Sequence, residues 1–536
     1  MNTTHTKIVA LASSLLLFAT ACSKPDAGTE PVVAPAAAPQ AAEEKTEAYE
    51  PGKMIDWYEG SVDEAFAEAR ETDKPVYLYW GAVWCPPCHA ISATVFTRPE
   101  FIERSKLFIP VYLDGDLQDA QAYGEKFGVR GYPTMIVFNS AGEELTRLPS
   151  GVDIQAYVNI LDLTLGDVSS AAELVANIMG GDANELAPQD CTLLAYHSWG
   201  QDLTTLKDLD AAATFRKLHD ACAGKQKAER SRLFFLWLDE ALSSGDDEEL
   251  QMSAAEQKAT LEELQMILSD YDLAKTNIFA VTNAAAYAEA LTEDGSEARE
   301  QFRQQAYALF DRIQADEDVY LRERIYMLRA KADFERLPDE EAELSEALKA
   351  EIREMVEYAD ASTPSVYERQ PIINALGNVL RNAEMYDVAR PLLLAELERS
   401  KQPYYFMTGL AGIAEAEGNV DEAVDWYRKG WEASKGPATR FQWGYYYLAG
   451  LIELQPENTQ LIHDTTVTLV TELQAQGGFF QRPKAQLASI ENYLTEWGVD
   501  NAEALSNIRS SVLAVCAESG AAEESRATCE AFLETA

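Results

Sequence analysis

Trp84-Cys85-Pro86-Pro87-Cys88 decides the reading of this chain. The apolar run Val76 to Trp80 before it has the composition of a buried strand, and Ala90 to Phe96 after it reads as the start of a helix. Two cysteines two residues apart at a strand-to-helix corner have defined chemistry. The first thiol meets the partial positive charge and free N–H groups of a helix N-terminus, which favour the thiolate. The second lies one turn on, placed to attack a mixed disulfide and release it. Half of a zinc site is the competing reading, but no second close cysteine pair exists to complete it.

A second signature follows at Gly128-Val129-Arg130-Gly131-Tyr132-Pro133-Thr134, leading into the apolar strand Met135 to Phe138. Strand, W-C-x-x-C, helix, then G-x-P-T before another strand resembles the thioredoxin superfamily. The resemblance covers about a fifth of the chain. With Lys74-Pro75 ahead of the first strand and a capped turn inserted after the active-site helix, it looks closest to the C-terminal thioredoxin-like domain of the bacterial transmembrane disulfide reductase. The resemblance implies an α/β thioredoxin fold over 54–166 and no cofactor. It implies Cys85 as exposed nucleophile, Cys88 as resolving thiol and Trp84 as a shield. A cis Pro133 would lie against the cysteines, with the backbone beside Tyr132 and Pro133 pairing with substrate. One departure stands out. The family's buried aspartate, six residues before the first cysteine, is Tyr79 here, whose phenol ordinarily titrates near ~10. His89, directly after the motif, reads as a solvated first-turn residue rather than a proton relay.

Within 54–166, Ser61 and Glu64 form a capping box for a first helix. Thr97 and Glu100 bracket a capped turn near Pro99, Leu107 to Leu113 is a strand, and Asp119 to Phe127 is a helix closed by Gly128. Strands follow at 135–138 and 144–148, and Asp153 caps a last helix.

Upstream, 1–22 reads as an export signal: Lys7, an apolar stretch from Ile8 to Phe18, then Ala19-Thr20-Ala21 before Cys22. The ending resembles a lipobox, with Ala19 where leucine is usual. It implies lipidation at Cys22 and, because Ser23 follows, sorting towards the outer membrane. Residues 23–53 are rich in Ala, Pro and Glu and read as a disordered tether.

Downstream, 167–536 reads as an all-α helical domain dominated by Ala, Leu, Glu and Arg. Leu376-Gly377 and Ala389 recur 34 residues later as Leu410-Ala411 and Ala423, with Leu393 matched by Tyr427, and Gly418-Asn419 makes an inter-helix turn. These resemble tetratricopeptide-like hairpins around 370–436, a family that implies a groove for a protein partner. The cluster Trp443, Tyr445, Tyr446 and Tyr447 reads as helix-packing core.

The seven cysteines and the charge set the context. Apart from Cys22 they form three sequence-local pairs, as expected of an oxidising compartment. For Cys191 and Cys222 a structural disulfide is favoured over a Cys2His2 metal site with His197 and His219, or free thiols. It would stabilise by roughly 3–4 kcal/mol. Cys516 and Cys529 could clip a C-terminal hairpin. A formal charge of −45, from 89 acidic and 44 basic residues, argues against nucleic acid and against charge-driven adhesion to an anionic membrane. The expectation is an exported, lipid-anchored thiol–disulfide oxidoreductase of reductase type, whose partners are protein thiols and disulfides, a redox donor protein and a protein bound by the helical domain. The alternative is a periplasmic scaffold in which the helical domain is primary.

Overall fold

A computed structural model describes residues 51–533 apart from 152, 182–183, 244–251, 338, 340, 364, 476–480 and 519–522. The expected signal, Cys22 and the tether as far as residue 50 lie outside the described residues. The last three tether residues do not. Pro51 and Gly52 are buried, and the Pro51 carbonyl accepts a 2.7 Å hydrogen bond from the Trp57 indole.

The first unit is a four-stranded sheet ordered β2-β1-β3-β4. β1 (Val76–Gly81) runs parallel to β2 (Ile109–Asp114) and antiparallel to β3 (Thr134–Phe138), which pairs antiparallel with β4 (Glu144–Leu148). All six residues of β1 are buried, as a central strand covered on both faces requires. Five α-helices accompany the sheet among the described residues: α1 (Val62–Thr72), α2 (Pro86–Ile91), which continues into a π-helical turn (Ser92–Phe96), α3 (Pro99–Ser105), α4 (Gln118–Lys126) and α5 (Ile154–Thr164). Ser61 and Glu64 make the expected capping box, and Asp153 caps α5 through the N–H groups of Gln155 and Ala156. Thr97 does not cap α3. Its hydroxyl donates back to the Ala93 carbonyl, and Arg98 occupies the N-cap without a side-chain bond.

Both sheet edges are covered. The Tyr58 N–H donates to Pro110 O beside β2, and the Ser198 N–H donates to Arg147 O beside β4. Arg147, buried at 3% exposure, bonds the Phe127 and Gln201 carbonyls and pairs with Glu144.

The remainder of the described chain is helical, from Ala171–Gly180 to Glu523–Ala531, and no helix among the described residues is long and apolar enough to cross a membrane. It is not a separate body. Tyr157 and Leu161 of α5 share one apolar cluster with Leu174, Leu194, Phe215 and Leu233.

The 34-residue repeat extends to the turns. Glu384 and Gly418 both adopt left-handed backbone, at φ of 56° and 75°, and each turn closes with a matching bond, Met385 N–H to Leu380 O and Asn419 N–H to Ala414 O. The equivalent Leu376 and Leu410, and Ala389 and Ala423, are all fully buried. The first turn was illegible in sequence because glutamate, unlike glycine, gives no left-handed signal.

Candidate active site

Cys85 is the N-cap of α2, and its Sγ accepts a 3.1 Å hydrogen bond from the Cys88 N–H. Pro86 and Pro87 fill the first two helical positions, where neither ring clashes with a preceding turn. They also remove two of the N–H groups that a helix N-terminus ordinarily offers. The two cysteines are joined in a disulfide with Cα atoms 5.2 Å apart. The Tyr132–Pro133 peptide bond is cis. The Trp84 and Tyr132 rings lie with centroids 6.2 Å apart. The Tyr132 hydroxyl donates to Gly115 O and accepts from Gln121 Nε2.

The cysteine expected to be exposed is not. Cys85 is 1% exposed and Cys88 fully buried, because the helical domain folds over them. Helix Val366–Asn382 packs on α2, and its Gln370 donates a 2.7 Å bond to the Trp84 carbonyl. Trp443 meets Trp84 edge-to-face at 5.3 Å and donates its indole N–H to Tyr404 O. Two further ties flank the site. Asp116 caps helix Pro437–Leu454 from the other domain, accepting from the Thr439 N–H at 2.9 Å and from its hydroxyl. Lys484 pairs with Glu125 of α4 at 2.7 Å.

Between the two domains a cavity of about 420 Å³ remains, with Cys85 in its wall. Trp84, Pro87, Arg130 and Tyr132 line one side, and Tyr405, Gln442, Tyr445, Tyr446 and Gln486 the other. The aromatic cluster expected to be core is thus divided. Trp443 and Tyr447 are buried, whereas Tyr445 and Tyr446 face the cavity. Sequence reasoning missed Gln370, Tyr405 and Gln486 altogether. They lie hundreds of residues from the cysteines, and nothing local marks them.

His89 is 2% exposed, contrary to the expected solvated position. Its ring stacks on Tyr367 at 5.3 Å, and its Nε2–H donates to Val83 O at 2.7 Å. Burial pushes its pKa down to about 4, against the opposing pull of that bond, so the ring is neutral at pH 7. Tyr79 is a core aromatic, stacked against Trp57 and Tyr112 and met edge-on by Phe96. At the same end of the sheet Asp114 lies opposite Gly81, and burial raises its carboxyl pKa.

Cys191 and Cys222 are joined in a buried disulfide, as are Cys516 and Cys529. The alternative Cys2His2 set is not assembled, because both histidines are otherwise engaged. His197 Nδ1 accepts from the Arg147 N–H and its Nε2 meets Asp202, while His219 sits between Asp220 and Glu263.

A family profile of the thioredoxin-like domain matches residues 62–164. Thioredoxin H4 of Arabidopsis thaliana is 32% identical over 95 residues, which is 17% of this chain and 74% of that protein. Thioredoxin H5 of the same plant is 32% identical over 87 residues, 68% of its length. The thiol:disulfide interchange protein DsbD 1 of Pseudomonas aeruginosa is 32% identical over 89 residues, but the match spans 15% of it. A dithiol capping a helix beside a cis proline, on a sheet of this order, agrees with these likenesses: the chain belongs to the thioredoxin superfamily, with an all-α domain joined to its thioredoxin-like domain.

Proposed function

We propose that this protein is an exported protein-disulfide reductase, lipid-anchored through Cys22 and more at home on the outer than the inner membrane. Thiol–disulfide exchange itself follows from the thioredoxin-like domain and its cysteine pair. The direction rests on one observation, the poverty of support for a Cys85 thiolate. Strong oxidants stabilise their reduced form by holding the first cysteine as a very stable thiolate. Here Pro86 and Pro87 offer neither side-chain donors nor N–H groups, the Cys88 N–H is the bond made to Cys85 Sγ, and His89 is neutral. The reduced dithiol is therefore the higher-energy partner and gives up its electrons readily.

In the reducing direction the Cys85 thiolate attacks a substrate disulfide, forming a mixed disulfide and expelling one substrate thiolate. Cys88, deprotonated, then attacks Cys85 Sγ, which releases the second substrate thiol and leaves the Cys85–Cys88 disulfide. Two electrons pass to the substrate, and a dithiol donor protein returns them. That the helical domain builds one wall of the dithiol's cavity supports this reading over a scaffold with incidental redox chemistry.

Redox equilibration of the full chain against glutathione tests the direction, with Cys88→Ala trapping mixed disulfides through Cys85. A potential well below about −120 mV is expected; one as oxidising as that would make the protein an oxidant.

A further inference from the structure

The cavity has two walls of different origin. The thioredoxin-like wall carries Cys85, Arg130 and Tyr132, and the opposite wall comes from helices Tyr404–Ala416, Pro437–Leu454 and Gln481–Gly498. With Cys85 1% exposed and Cys88 fully buried, an attacking or attacked sulfur must enter through this cavity. Gln370, Thr439 and Lys484 tie the walls together around it. An extended segment enters a cavity walled on both sides more readily than the flat face of a folded domain does. A volume of about 420 Å³ matches sites that enclose a drug-sized ligand, which is the scale of a segment of a few residues.

The lining also discriminates. Among the described residues around the cavity Arg130 is the one charged side chain, in a chain of 89 acidic and 44 basic residues. Tyr405, Tyr445 and Tyr446 line the opposite wall, and burial raises the pKa of the Tyr405 and Tyr445 phenols, so they remain neutral. Aromatic rings of this kind take an apolar or aromatic side chain at little entropic cost and offer little to a small polar one, whereas Arg130 is the group an acidic one would meet.

We propose that the tyrosine wall of the helical domain selects the substrate: a disulfide carried on an extended, unfolded segment of protein chain, with an aromatic or apolar residue beside its cysteine. This rests on the reductase reading and narrows it to unfolded or misoxidised chains. Tyr445, Tyr446 and Tyr405 are specificity residues that hold the neighbour of the reacting cysteine, while Cys85 and Cys88 carry out the exchange. The electrons still originate from an external dithiol.

The test is steady-state kinetics of the full chain with dithiothreitol as reductant and three probes: a disulfide-linked peptide with Phe beside each Cys, its Ser-flanked counterpart, which carries no charge for Arg130 to attract, and bis(2-hydroxyethyl) disulfide. The Phe peptide should exceed the Ser peptide in kcat/KM by about tenfold or more. Tyr446→Ser should lower the ratio of Phe peptide to small disulfide by about tenfold, through KM rather than kcat. Because Tyr446 also touches Trp443, Ala485→Trp provides a second variant: Ala485 is exposed on the cavity rim, and the indole would narrow the cavity without disturbing the core. A wild-type preference below twofold, or a ratio unmoved in both variants, overturns the assignment. Failure of the wild type to reduce any of the three probes overturns the reductase reading and this assignment with it.

Discussion

Gln370 and Trp84 stand 286 residues apart in sequence, yet the Gln370 side-chain amide donates a 2.7 Å hydrogen bond to the Trp84 carbonyl, one residue before the first cysteine. The carbonyl is deeply covered, with Trp84 itself 5% exposed and Gln370 1%. The bond thus joins the active-site loop to the helical domain inside a buried interface.

Gln370→Leu should leave that carbonyl without its donor and destabilise the protein by about 1–3 kcal/mol. It should also quicken alkylation of reduced Cys85 by iodoacetamide, because the helical wall loses a tie. Urea unfolding and mass-resolved alkylation read the two effects. An unchanged urea midpoint would show that this bond does not hold the two domains together.

His89 makes stability depend on pH, in a stated direction. Its folded pKa of about 4 lies below the ordinary 6.5, so between these values the unfolded chain binds the extra proton. Its contribution is complete above pH 6.5 and is lost progressively as the pH falls towards 4, amounting to about 3 kcal/mol. His89→Gln, which keeps an N–H donor for Val83 O, should flatten this part of the profile. Urea midpoints at pH 4.5 and 7.5 for both proteins measure it, and parallel profiles would count against the buried neutral ring.

The two distal disulfides should stabilise unequally. Closing 31 residues between Cys191 and Cys222 restricts the unfolded chain more than closing 13 between Cys516 and Cys529. The chain-entropy relation gives roughly 4 and roughly 3 kcal/mol. Double Ala variants of each pair, unfolded in denaturant without reductant, should follow that order. In the native protein none of the four sulfurs should take up an alkylating agent before reduction.

Cys22→Ala should move the protein from the membrane to the soluble fraction, since no helix among the described residues could hold it in a bilayer. Membrane fractionation and intact mass give the answer together. An N-terminus that carries no lipid would contradict the anchor.

The fold of 54–166 was legible because its signals are local. An all-buried β1, the Ser61 capping box, Gly128 at the end of α4 and Asp153 before α5 each act within a few residues, over which the chain's own sterics and hydrogen bonds decide. So was the dithiol, marked by its spacing at a strand-to-helix corner together with the Tyr132-Pro133-Thr134 signature. The capped turn at Thr97 was misread because a threonine hydroxyl can equally bond back to the preceding helix, and here it does.

The environment of the dithiol was decided by tertiary structure. Whether Cys85 is exposed depends on where a helix some 280 residues later comes to rest, and whether His89 is solvated depends on Tyr367 lying over it. Likewise Asp116, an ordinary turn residue in sequence, becomes the cap of a helix in the other domain. Residue spacing along one chain encodes helices, strands and the order of thiols. Burial, and with it the pKa of His89 and the access to Cys85, is a property of surfaces that meet only after both domains have formed, so the cysteines could be assigned from sequence while the cavity that admits their substrate could not.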